Sequence, residues 1–547
     1  MLTTSRSFHL RILPILLVPL ISACGLRGQS APWWHDATFY EIFVRSFSDA
    51  REGPLANDGI GDFQGLIERL DYLNDGDPAT IDDLGITAVW LMPIHPSPSY
   101  HGYDVTDYFD VHPDYGDVPL MKQFVAAAHA RGIRVIIDLV VNHASSQHPW
   151  FHAALTSPAA PERELFRFAS LPHELYGPWD QLAWQPAGED FYYAVFWHEM
   201  PDWNFRHPAV TQHHRDVANF WLQEVGVDGF RLDAVRYLYE DGAALQDTLE
   251  TKHWLRDFTR YCQSLNSEVF LVGEVYARAE VVAPYQREEA LTSFFEFELA
   301  RAVIEATRLR RPGILSDALD RIYHAYDDEV TWSQFLANHD QPRIRNQLGD
   351  DPAALRLAAQ LQFVLPGIPF IYYGEEIGLR GDKPDPELRT PMPWTSASPH
   401  ADFTAATATP WHPLNPDFAA INVASAERDP NSLLHLYRRL IRLNGSSPAL
   451  RHGRQLAVES TGPRHYVAAR QTEAEVVIVL ANLNDHSIAA PALNLSGSNA
   501  RPEWILDELF TTASLKSPID PDGALHHWQP WDELPPETVR VLRWQRP

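Results

Sequence analysis

Short apolar runs of strand length alternate with segments of helical spacing along most of this chain. "ATFYEIFVRSF" (37–47), "TAVWLMPI" (87–94) and "IRVIIDLVVNH" (133–143) are rich in the β-branched and aromatic residues that suit strands. Between the second and third, "PLMKQFVAAAHARG" puts Leu120, Phe124, Ala127 and Ala128 on one helical face, and Gly132 stands where that helix would stop. The alternation continues with the helical "VTQHHRDVANFWLQEVG", the strand "VDGFRLDA", then "EVFLVGEVY" (268–276), "SFFEFELA" (293–300), "VTWSQFLANHD" (330–340) and "GIPFIYYGEEIGL" (367–379). Eight strand candidates, most separated by helices, predict an α/β fold, a parallel (β/α)8 barrel. No glycine-rich dinucleotide fingerprint follows the first strand, which argues against an open doubly wound sheet.

Two stretches depart from this rhythm. Residues 144–206 are rich in Trp, Tyr, Phe, His and Pro with little periodicity, which predicts a domain inserted after the third strand. "NSLLHLYRRLIRL" (431–443) is an amphipathic helix with Leu433, Leu436, Tyr437, Leu440 and Ile441 on one face. "NGSSP" breaks it, and "YVAARQ", "EVVIVLANL" and "TVRVLRW" then predict a C-terminal antiparallel β-sandwich over 446–547. The barrel would occupy 37–143 and 207–445.

At the N-terminus, Arg6 and Arg11 precede the apolar run "ILPILLVPLI" and the small residues before Cys24. Residues 1–23 thus read as a secretory signal. Small residues just before a cysteine resemble a bacterial lipobox, which implies lipidation of Cys24, a tether over 24–36 and a cell-envelope lipoprotein. Gly25, rather than an aspartate, follows Cys24, so the outer membrane is the expected location. Cys262 is then left without a disulfide partner and reads as a buried structural thiol. With 45% apolar and 12% aromatic residues the chain is globular, and its net charge of −28 excludes nucleic acid as a partner, which would need a basic face.

The chemistry concentrates at the ends of the strands. In "VDGFRLDAVRY" (227–237), Arg231 and Asp233 are two residues apart and share one face of a strand. A buried charged pair costs free energy unless it is compensated, which marks it either as a structural ion pair or as a carboxylate held for chemistry. Active sites of (β/α)8 barrels lie at the C-terminal ends of the strands. Read in order, those ends offer Asn142 and His143, then Arg231 and Asp233, then Glu274, and finally His339 and Asp340. Each could be structural by itself; together they would converge on one mouth.

Four stretches, "DLVVNH" (138–143), "GFRLDAVRY" (229–237), "GEV" (273–275) and "FLANHD" (335–340), resemble in order and spacing the short regions of the alpha-amylase superfamily, glycoside hydrolase family 13. The resemblance implies a retaining glycosidase with Asp233 as nucleophile, Glu274 as general acid/base and Asp340 stabilising the transition state. It also implies that Arg231 keeps Asp233 ionised and oriented, that His143 and His339 hydrogen-bond the sugar, and that Asp138 and Asn142 support this shell. "HGYDVTDYFDVHPDYG" (101–116) resembles the family too, with Tyr103 stacking on the sugar, Asp104 binding a terminal glucose and Arg389 of "LRTPMPW" as partner of Asp104. "MPDWN" (200–204) is similar to the "MPDLN" version of a fifth region, found in an alpha-amylase subgroup between oligo-1,6-glucosidases and neopullulanases. Ala234 after the nucleophile is similar to α-1,4-specific members.

The activity this implies is hydrolysis of α-1,4-glucosidic bonds in starch-type glucans or maltooligosaccharides by a monomer. The alternatives are an exo-acting α-glucosidase, a trehalose synthase or transglycosylase and, more remotely, a non-catalytic sugar-binding barrel. "NDGIGD" (57–62) resembles a calcium loop, with Asp49, Asp58, the Ile60 carbonyl and Asp62 as candidate ligands. No organic cofactor is implied.

Overall fold

The computed structural model describes residues 32–172, 174–326, 332–462, 464–511 and 513–547. The signal at 1–23, Cys24 and the tether up to residue 31 lie outside the described residues. Eight parallel strands form the barrel: β1 (Phe39–Ile42), β2 (Ala88–Leu91), β3 (Arg134–Val140), β4 (Gly229–Asp233), β5 (Phe270–Gly273), β6 (Ser293–Phe294), β7 (Ser333–Gln334) and β8 (Ile368–Tyr372). Each strand from β1 to β5 pairs with the next, β7 pairs with β8, and β8 returns to β1. A parallel bridge between Phe295 and Ser333 closes the ring.

The period-2 alternation sorts the strand residues into two cores. Tyr40, Ile42, Val89, Leu91, Ile137, Leu139, Phe230 and Leu232 face outward, onto helices such as α1 (Val118–His129), α2 (Pro208–Asn219) and α3 (Leu249–Leu265). Phe39, Ala88, Trp90, Ile136, Phe270, Val272 and Phe370 fill the barrel interior, where Phe39 stacks on Phe370 with ring centroids 4.3 Å apart. Burying side chains of this size contributes about 1.5–3 kcal/mol each. The same inward rows continue toward the C-terminal rim as Glu41, Asp138, Arg231 and Asp233, so the charged residues sit on top of an aromatic plug.

Strands β6 and β7 are much shorter than the sequence pattern predicts. "SFFEFELA" alternates apolar and acidic residues like a strand, but the Glu296 side chain accepts the Glu298 amide and Phe297 opens a helix, α4 (Phe297–Leu309). The capping carboxylate overrides the alternation.

Between β3 and β4 the chain forms a helix (Pro149–Thr156) and a three-stranded antiparallel sheet (Phe168–Ala169, Asp190–Tyr193, Trp184–Ala187). After α5 (Pro352–Val364) and β8, the amphipathic segment is helix α6 (Leu433–Gly445), with Leu436, Tyr437, Leu440 and Ile441 buried. Beyond it, a six-stranded antiparallel sheet centred on Glu475–Asn482 and Thr538–Gln545 shares a core of Ile478, Leu480, Leu493, Leu495 and Trp544 with a three-stranded sheet. Arg470 ties this region to the barrel by donating to the carbonyls of Val364 and Ala449.

Gly229 opens β4 at the tightest point of the interior. A Cβ there would lie 1.9 Å from the Phe270 carbonyl oxygen of the neighbouring strand. Backbone cannot yield as a side chain does, so Gly229→Ala should lower unfolding stability by about 3 kcal/mol or more, read as a fall in denaturant midpoint.

Candidate active site

Register builds the centre of the site. Asp138 of β3 and Arg231 of β4 are direct partners across the ladder, as are Val140 and Asp233. On the other side Leu232 pairs with Gly273, so Asp233 and Glu274 follow one rung further along. Arg231, 1% exposed, answers all three carboxylates. Its Nη1 donates to Asp233 Oδ1 at 2.7 Å and to Asp138 Oδ1 at 2.9 Å, and its Nη2 donates to Glu274 Oε2 at 2.7 Å. The guanidinium lies 5.3 Å from the centroid of the Trp90 ring, which supports it from the barrel interior. Ala234 takes a left-handed conformation (φ 49°) that turns the chain after Asp233 and brings its amide to 3.3 Å from Glu274 Oε2.

The electrostatics separate these carboxyls. Burial raises the pKa of Glu274, and Arg231 only partly offsets it, while the charge of Asp233 pushes it further up. Burial also raises Asp233, but Arg231 opposes this both through its charge and through a direct hydrogen bond. Asp138 is pushed up to about 7, again by burial, with Arg231 pulling the other way. Arg231 bonds all three carboxyls directly, and one cation shared among three buried carboxyls leaves a proton within the cluster.

A second polar group faces this one. Nδ1 of His339 lies 2.6 Å from Glu41 Oε1, while its Nε2 lies 2.7 Å from the Tyr103 hydroxyl and 3.2 Å from Asp340 Oδ2. Burial opposes a charge on His339, but Asp340 and Glu41 outweigh it and raise its pKa to about 9. Burial alone would raise Asp340; the His339 cation, aided by Arg389, holds it well below the usual carboxylate range instead. The Tyr103 hydroxyl in turn donates to Asp138 Oδ2 at 3.1 Å, joining the two groups.

Tyr103, His143, Asp233, Glu274 and Asp340 line one cavity of about 590 Å³, together with Trp179 and Phe196 of the inserted segment and Lys383 and Asp385 of the loop after β8. His143 sets its Nε2 3.1 Å from the Tyr103 carbonyl, and its Nδ1 is buried without a hydrogen-bond partner. His339 is fully buried, with both ring nitrogens engaged by protein. The expected pairing of Asp104 with Arg389 does not form. Asp104 accepts the hydroxyls of Ser97 and Ser99, whereas Arg389 Nη2 lies 3.0 Å from Asp340 Oδ1 and 3.3 Å from Asp385 Oδ2. The two hydroxyls hold Oδ1 of Asp104 and leave its buried Oδ2 without a hydrogen-bond partner, while the more exposed carboxylates of Asp340 and Asp385 take Arg389.

Sequence reasoning missed Glu41, Lys383, Asp385 and the role of Asp138 as a third carboxylate on Arg231. Glu41 had a signal: it is the lone acid in the apolar "FYEIF", at an inward position of β1. In the candidate calcium loop, Asp49 accepts the amides of Asn57 and Gly59, Asp58 that of Ile60, and Asp62 those of Ala50 and Gly65. Among the described residues, no group of three or more His, Cys, Asp or Glu stands ready to hold a metal ion. Cys262 is buried, which raises its thiol pKa and suits a structural role.

Residues 41–453 match the family described as alpha amylase, catalytic domain. Among curated proteins, Alpha-amylase 3 of Dictyoglomus thermophilum is 36% identical over 88% of this chain and 91% of its own length. The glucan 1,6-alpha-glucosidase of Streptococcus dysgalactiae subsp. equisimilis is 30% identical over 91% of this chain and 98% of its own. Among solved structures, the alpha-amylase from H. orenii superposes with a TM-score of 0.77 at 37% identity, covering 93% of this chain and 99% of that one. With the family's four short regions converging on a single cavity at the C-terminal rim of the barrel, the chain belongs to the alpha-amylase superfamily, glycoside hydrolase family 13, as an enzyme of glycosidase or transglycosylase type.

Proposed function

We propose that the protein is a retaining, exo-acting α-glucosidase of short α-1,4-linked glucooligosaccharides that passes the glucosyl group to water or to a sugar hydroxyl. One observation supports the exo reading: Lys383, Asp385 and Asp340 line one side of the cavity, and the buried Arg389 behind them joins Asp385 to Asp340, a charged wall that would limit the cavity to a chain end. Relatives named oligo-1,6-glucosidase, trehalose-6-phosphate hydrolase and trehalose synthase, at 28–32% identity, support small substrates and glucosyl transfer. Ala234 supports α-1,4 linkage. A second reading, an endo-acting alpha-amylase on starch-type glucans, is favoured by the 36% and 37% identity to the two alpha-amylases.

In either case the steps are the same. Glu274, holding a proton, delivers it to the glycosidic oxygen while Asp233 attacks the anomeric carbon to form a glycosyl ester. Glu274, now a carboxylate, takes the proton from the incoming water or sugar hydroxyl as it displaces Asp233. Asp340, kept ionised by His339 and Arg389, binds sugar hydroxyls and offsets positive charge at the oxocarbenium-like centre.

We also propose a divalent cation, calcium, at the loop of Asp49, Asp58, Ile60 and Asp62. The supporting observation is that burial raises all three carboxyls, Asp62 to about 6, and that Asp58 raises Asp49 as Asp49 raises Asp62. Each carboxylate oxygen that accepts an amide keeps a second lone pair for a cation. Lipidation of Cys24, with display at the outer membrane, completes the proposal.

Four measurements check these readings. With reducing-end-labelled maltoheptaose, exo action shortens the labelled product one glucose at a time, whereas early mid-length labelled fragments would decide for the endo reading. Asp233→Asn should abolish turnover, and Glu274→Gln should cost about 10²–10⁴-fold on maltooligosaccharides but far less on p-nitrophenyl α-glucoside, whose leaving group needs no proton. Chelation should lower Tm and added calcium restore it; an unchanged Tm removes the cation from the proposal. Cys24→Ala should move the protein from the membrane to the soluble fraction.

A further inference from the structure

Glu41 is a buried acid at the site that no catalytic step has used, and unlike Asp138 its bonded partner is His339 rather than Arg231. It lies midway along β1, where Phe39, Tyr40 and Ile42 are all apolar or aromatic, and it is 2% exposed. Its Oε1 is 2.6 Å from Nδ1 of His339, which is itself fully buried. From there contacts run across the mouth of the barrel: His339 Nε2 to the Tyr103 hydroxyl, Tyr103 to Asp138, and Asp138 to Arg231. A carboxylate at this position of an inward row has no packing advantage over a hydrophobic residue, and its burial is costly unless it faces a cation.

We propose that Glu41 is a positioning residue for the reaction: its carboxylate holds His339 as an imidazolium, which keeps Asp340 ionised and fixes the Tyr103 hydroxyl onto Asp138. Neutral imidazole could not do this, because with a carboxylate on each side it would have only one N–H to offer. Other charges also face His339. Asp138, Asp233 and Glu274 favour its cation from β3, β4 and the end of β5, while the cations of Arg231 and Arg389 oppose it. Glu41 and Asp340 are the acids that touch the ring, and of these Asp340 opens to the cavity while Glu41 does not. Glu41 is therefore the counter-charge that stays in place when substrate displaces the cavity's water. A histidine whose folded pKa is raised keeps its charge below that pKa and loses it as the pH climbs through it, here near 9.

The test uses α-D-glucosyl fluoride, whose leaving group needs no proton, so that loss of the Glu274 proton does not set the alkaline limb of kcat/KM. For the wild type that limb should fall near pH 9. Glu41→Gln keeps the shape but removes the charge, and should move the limb about one to three pH units lower while leaving kcat/KM near pH 6 much less affected. Glu41→Asp, which restores the charge, should move it back. Superimposable limbs for wild type and Glu41→Gln, whatever the absolute rates, would reduce Glu41 to a structural role and overturn the proposal. Should Glu41→Gln fail to fold, the wild-type His339 signal, assigned by loss in His339→Asn, decides by NMR: titration near 6.5 overturns the proposal and titration above about 8 supports it. The inference rests on the glycosidase reading, but that reading fails separately, by absence of fluoride release from the wild type.

Discussion

One guanidinium carries the electrostatics of this site. Arg231 is buried and shared by Asp138, Asp233 and Glu274. Removing one partner of a buried ion pair usually costs about 3–5 kcal/mol, and here the partner would be lost by three carboxyls at once. The deficit of positive charge has chemical value. Because Arg231 cannot hold all three carboxyls ionised, a proton remains in the cluster, and retaining hydrolysis needs one carboxyl protonated beside one that is not. The rest of the architecture serves to keep that cation in place: Trp90 and Tyr103 flank it and the ladder between β3 and β4 aligns it with Asp138.

The barrel makes this possible through its inward rows. In β1, β3 and β5 the row begins with an apolar residue in the plug (Phe39, Ile136, Phe270) and ends with an acid at the rim (Glu41, Asp138, Glu274), so folding the plug delivers these charges to their places. A second group of charges, Glu41, His339, Asp340 and Arg389, arrives from β1 and from the segments after β7 and β8. It meets the first at the Tyr103 hydroxyl. Asp233 and Glu274 thus belong to one group, and Asp340 belongs to the other.

Substrate choice lies in a different layer. The cavity walls come from loops and from the inserted segment: Trp179, Phe196, Lys383 and Asp385 are outside the strands. The relatives of this chain bear names as different as alpha-amylase, oligo-1,6-glucosidase and trehalose synthase.

The sequence by itself determined the barrel and the face that Arg231 and Asp233 share, because both are written locally. Strand periodicity needs only neighbouring residues, and Arg231 and Asp233 share a face by the pleat alone. Tertiary structure decided what depends on partners far along the chain. Glu296 caps a helix where alternation read a strand, and its second carboxylate oxygen is held by the Tyr326 hydroxyl, 30 residues on. Arg389 goes to Asp340 and Asp385 rather than to Asp104, since an arginine takes whichever carboxylates the fold brings within reach. Glu41 stood in view in "FYEIF", but its meaning waited on His339, 298 residues away and within 2.6 Å in the folded chain. Local geometry is short-ranged and legible from sequence; charge partnership acts through space, and only the closed barrel sets the distances.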